Sequence, residues 1–136
     1  MKRLILAALL TVTACGRQEC AQKYRGVCLE APGPRIDRFV DGALAFWGAP
    51  DSAIAGTTLH TTSGQMDCSG VQAYGCTYSD MRDVTLDINA YPACPYYNLV
   101  HELGHVILNG DGNHTDPRWH QVIPAQLQEC KEWIEE

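Results

Sequence analysis

The sequence predicts a small α+β domain: an N-terminal core helix, a short mixed sheet with an edge strand, two later helices and a set of disulfides. Three observations carry that expectation. Apolar residues recur at helical spacing from Arg35 to Trp47, a strictly alternating segment follows at Asp83 to Asn89, and six cysteines remain once Cys15 is set aside. With 136 residues, 46% hydrophobic and 19% charged, the composition is that of one globular domain and not of a disordered chain.

The chain opens on a segment that does not read as part of that domain. Lys2 and Arg3 precede the apolar run Leu4 to Leu10, which leads into small residues at Val12-Thr13-Ala14 before Cys15. This is the pattern of an export signal over residues 1–14, too short in its apolar part to span a bilayer as a helix. Val12-Thr13-Ala14-Cys15 resembles the lipobox of bacterial lipoproteins. That resemblance implies lipidation at Cys15, a membrane anchor, and a place in the bacterial cell envelope facing the periplasm or the exterior. Residues 15–34 are polar, broken by Pro32-Gly33-Pro34, and read as a tether.

From Arg35 to Trp47, residues Ile36, Phe39, Val40, Ala43, Leu44 and Trp47 form one apolar helical face, ended by Gly48 and Pro50. Gly56 to Thr62 is β-branched and predicts a strand, followed by turn-rich sequence through Cys68 and Cys76. Asp83 to Asn89 alternates, with Val84, Leu86 and Ile88 on one side, as a half-buried strand does; it is the candidate edge strand. After Tyr91-Pro92 a helix is predicted over about 95–108, with Asn109-Gly110 as its stop, and a last helix over about 124–135.

An exported chain with an even set of cysteines, Cys20, Cys28, Cys68, Cys76, Cys94 and Cys130, predicts three disulfides. Six cysteines allow 15 pairings. Cys20 with Cys28 and Cys68 with Cys76 are plausible local loops, which leaves Cys94 for Cys130. The net charge of −6 becomes more negative without Lys2 and Arg3, and no basic stripe or phosphate-binding loop occurs, which argues against a nucleic-acid partner. A monomer is expected.

Within the second predicted helix stands His101-Glu102-Leu103-Gly104-His105. Residues four apart on a helix differ by about 400° of rotation, so both imidazoles reach from nearly one face toward a single ion. Glu102, about 100° round from His101, is placed to act as a general base without competing as a ligand. Zinc is the expected cofactor, and the apolar neighbours Leu99, Val100, Val106, Ile107 and Leu108 make burial without a partner costly for these polar groups.

The motif and the order of elements around it, over about residues 35–114, resemble the zincin metallopeptidases, metzincin-like members in particular. The resemblance implies a zinc metallopeptidase domain over 35–136, with Glu102 as general base and a peptide or protein substrate lying along the edge strand at Val84 to Asn89. In metzincins a glycine three residues after the second His turns the chain, and the third ligand follows six residues after that His. Here those positions hold Leu108 and Asp111, and the helix-breaking glycine comes later, at Gly110. The returning ligand is therefore expected later too, at His114, with Asp111 as the alternative and Glu129 on the last helix as a third candidate. No methionine follows Met81, so the metzincin methionine turn is absent. His120 reads either as a cleft residue or as a structural neighbour of Trp119. The competing reading is a lipoprotein that binds zinc without catalysis and serves as a binding module; a general base at Glu102 would be of no use to it.

Overall fold

The computed structural model describes residues 20–31, 33, 35–80, 82–91 and 93–135. The expected signal at 1–14 and the lipidation site Cys15 lie outside the described residues. Among those described, no helix is long and apolar enough to cross a membrane.

The fold is α+β. Five strands form a mixed sheet: β1 (Gln22–Tyr24), β2 (Val27–Leu29), β3 (Thr58–Thr62), β6 (Gly75–Tyr78) and β7 (Asp83–Asp87), in the order β1-β2-β3-β7-β6. The central strands β2, β3 and β7 run parallel, and the two outermost, β1 and β6, are antiparallel to their neighbours. A separate hairpin pairs β4 (Met66–Cys68) with β5 (Val71–Ala73). Helices α1 (Ile36–Trp47), α2 (Leu99–Ile107) and α3 (Val122–Glu135) complete the fold, the last preceded by a 3-10 turn at Pro117–Gln121.

The predicted face of α1 is the buried one: Ile36, Phe39, Val40, Ala43, Leu44 and Trp47 all lie in the core. It meets Leu99, Val100, Leu103 and Val106 of α2, and both helices cover the sheet face made by Val27, Leu29, Leu59, Val84 and Leu86. Trp47 does not remain merely apolar, because its Nε1–H donates to the Val100 carbonyl at 2.8 Å and pins α1 across the first turn of α2. The helix ends at Gly48, whose φ of 61° is the left-handed conformation that glycine adopts without penalty.

Three expectations change. The alternating segment at 83–87 is not an edge: β7 is flanked by β3 and β6, and the edge is β6 itself. Alternation reports that one face is buried, not how many neighbours a strand has, and the short strand that covers this edge sits in glycine-rich sequence that reads as turn. The second helix begins at Leu99, not near Pro95, because Tyr97 and Leu99 bond to the carbonyls of Cys94 and Tyr96, three residues back, in tight turns. Finally, residues 22–29, within the stretch read as a tether, are a hairpin of the sheet, with Cys28 paired beside Thr58 and Leu29 beside Leu59.

The disulfides join Cys20 to Cys28, Cys68 to Cys76, and Cys94 to Cys130. The first closes the β1-β2 hairpin, the second ties the β4-β5 hairpin to β6, and the third links the approach to α2 with α3.

Candidate metal centre

Helix α2 supplies His101 and Glu102 from its first turn and His105 from its last, and its geometry depends on two contacts with other elements. The His101 backbone N–H belongs to the first turn, where no helical carbonyl is available, and the buried Gln126 side chain on α3 accepts it at 3.1 Å. Gly104 lies where any side chain would collide: a Cβ there would stand 2.3 Å from Trp47 and 2.8 Å from Trp119. The glycine inside the motif is thus required by packing, since two indoles lie against the helix backbone.

After Ile107 the chain turns back through Asn109 and Gly110, both at positive φ, and Gly110 N–H closes on the His105 carbonyl at 2.7 Å. It returns at His114, itself at φ 53°. His101, His105 and His114 come together, with their ligating nitrogens all within 4.8 Å of one another. His105 Nε2 lies 3.1 Å from that of His101 and 3.3 Å from that of His114. Two ligands of a tetrahedral zinc, each about 2.05 Å from the ion, stand about 3.3 Å apart, which is close to these two separations. The three histidines could hold a metal ion.

The other two candidates for the third ligand are engaged elsewhere. Asp111 has both carboxylate oxygens occupied: Oδ1 accepts from the Thr115 N–H and hydroxyl, Oδ2 from the Asp116 N–H and from Trp119 Nε1 at 2.8 Å. These donors hold its carboxyl well below the usual carboxylate range. Glu129 lies against Gly42 of α1 with Arg38 3.9 Å away. His120 is exposed and does not line the cleft.

The cleft above the histidines has a volume of about 420 Å³ and is walled by β6 and by the Cys68–Cys76 disulfide, with Ser69, Thr77 and Ser79 among its lining residues. Glu102 is 6% exposed at its base. Its Oε2 accepts from the Thr77 hydroxyl at 2.5 Å, and its Oε1 sits where a Cβ on Gly75 would come within 2.3 Å. Gly75 therefore leaves the room that the carboxylate occupies, and Thr77 orients it. Neither residue is marked by any sequence pattern, because both act across the sheet-helix interface.

Burial pushes the Glu102 carboxyl up to about 7, with the Thr77 hydrogen bond pulling the other way. Burial, reinforced by the neighbouring His105 and His114, lowers His101 to about 4, and His105 is lowered mainly by burial. The shifts of His101 and His105 both favour the neutral ring, the form in which imidazole binds a metal.

Compared with protein-family models, with curated proteins and with solved structures, the chain matches none.

Proposed function

We propose that the protein is a zinc-dependent metallopeptidase, hydrolysing peptide bonds in a zincin-like site. The observation that carries this reading is the pairing of three convergent imidazoles with a buried carboxylate one residue from the first of them. A purely structural site gains nothing from that carboxylate, whose burial costs stability. When bound, zinc supplies Lewis acidity, polarising a carbonyl and making water acidic enough to attack near pH 7.

The chain's own residues supply the rest. His101, His105 and His114 would hold the ion, beneath the cleft that Glu102 also lines. Glu102, kept in place by Thr77, accepts the proton of the attacking water and returns it to the leaving amine. A carboxyl raised toward neutrality suits that exchange in both directions. Strand β6 ends the sheet directly beside Glu102, so an extended peptide would add to it in the manner the zincin resemblance implies. We place this activity in the bacterial envelope, with the lipid anchor at Cys15, on the strength of the N-terminal sequence.

The test is Glu102→Gln in the full chain, with zinc content and peptide cleavage measured on the same preparation. The expected outcome is unchanged zinc stoichiometry with cleavage reduced about 10²- to 10⁴-fold. Zinc bound equally by both proteins, with no cleavage by either across a broad peptide mixture, would favour the non-catalytic binding module.

A further inference from the structure

Trp119 touches every member of the histidine triad. Its ring centre lies 5.0 Å from that of His101, 4.8 Å from His105 and 4.3 Å from His114. It is 8% exposed and seated edge-on against Trp47, 4.7 Å between centres, which in turn is anchored to α2. The indole therefore belongs to the rigid core on one side and to the triad on the other. Its N–H donates to Asp111 Oδ2, and the same carboxylate gathers the backbone N–H groups of Thr115 and Asp116 on either side of it in space.

His114 is what needs this support. It lies on an exposed return loop, at a positive φ that costs a non-glycine residue free energy, and its ring has no other described contact than the two histidines and Trp119. A loop ligand so placed reaches the metal position only if its loop is held and its ring has a surface to lie on.

We propose that Trp119 and Asp111 act as one positioning pair: the indole forms a floor under the three imidazoles, and its hydrogen bond to Asp111 locks the loop that brings His114 back. The pair pre-forms the site, so that ion binding does not have to order the loop. Neither residue is a ligand. Their effect is on how tightly and in what geometry the three histidines hold an ion.

This proposal rests on the metal-binding reading, and the experiment separates the two. The full chain and its Trp119→Phe, Asp111→Asn and doubly substituted variants are titrated with Zn²⁺ against a competing chelator, and with Co²⁺ followed by tryptophan fluorescence and visible absorption. Phenylalanine keeps a floor and removes the N–H; asparagine keeps Thr115 as a donor partner and loses an acceptor for Trp119. Each single substitution is expected to weaken Zn²⁺ about 10- to 100-fold and to alter the Co²⁺ absorption, with the double no weaker than the weaker single. Co²⁺ quenching of wild-type fluorescence should drop sharply in Trp119→Phe.

Three results overturn the proposal. Unchanged Zn²⁺ affinity in both single variants removes the pair while leaving the metal site standing. Strictly additive losses show two independent residues, and a wild-type chain that takes up neither ion, with His105→Ala as its matched control, removes the metal reading itself.

Discussion

His60 on β3 has a carboxylate at each ring nitrogen, whereas the rings of the triad face one another. Its Nδ1 lies 2.6 Å from Glu30 and its Nε2 3.3 Å from Asp83, on the sheet face away from the helices. Burial works against charging this ring, but the hydrogen bonds to Glu30 and Asp83 together prevail and raise its pKa. At His101 and His105 the same burial wins, reinforced at His101 by repulsion from the other two imidazoles. One molecule thus places the residue in two settings, one flanked by acids that favour the charged ring and one whose burial favours the neutral ring. Depth and neighbours decide together: the deeper burial of His101 is answered by no carboxylate, whereas the lesser burial of His60 is outweighed by two.

The strongest way to break this comparison is to remove a ring from the triad. His105→Ala is expected to weaken Zn²⁺ binding by more than about 100-fold, beyond the range of supporting residues, with His60→Gln leaving it unchanged. Chelator competition measures both. A change of metal affinity in His60→Gln would show that the two clusters are coupled.

The next effect is in the pH dependence of the metal-free protein. His101 and His105 have folded pKa values below the unfolded 6.5, so the unfolded chain binds more protons as pH falls through that range. Their contribution is complete above pH 6.5 and is lost toward about 4, by roughly 2 kcal/mol after allowance for solvent screening. His60 has the opposite sign. Its folded pKa is above 6.5, so its contribution is complete below pH 6.5 and disappears as pH rises through the folded value. Urea midpoints across pH 4 to 9 would read both slopes, and saturating Zn²⁺ should steepen the acid limb because protons compete for the same nitrogens.

The smallest effect sharpens the contrast from the other side. His60→Gln should cost about 0.5 to 1 kcal/mol at pH 5 and less at pH 9, since the ion pairs it removes are partly exposed. An equal cost at both values would mean that His60 contributes by packing.

The same division between local and distant causes explains what was readable in the chain. Helix α1 was legible because its buried face is one periodic stripe. The two eight-residue cysteine spacings were legible because each closes a short local loop, and once they are paired Cys94 and Cys130 have only each other. His114 could be placed because Gly110 marks where α2 must end. The sheet was harder: β1, β2, β4 and β5 have three residues each, too few for a period, and the parallel pairing that joins β2 to β3 spans some thirty residues of chain. Trp119 was read only as a neighbour of His120. Its importance lies in touching rings five, fourteen and eighteen positions earlier, and no local pattern records that.

The order in which these parts leave the ribosome follows from their positions in the chain. A chain extended only as far as Asn113 holds two of the three histidines, and the indole beneath them comes later still. Helix α3, which caps the start of α2 through Gln126 and is tied to it through Cys130, is last. A protein that emerges from its N-terminus therefore completes its metal site after the sheet and α1 have been made. If the site is a peptidase, the enzyme has no finished cutting edge while its own chain is still unfolded and exposed to it.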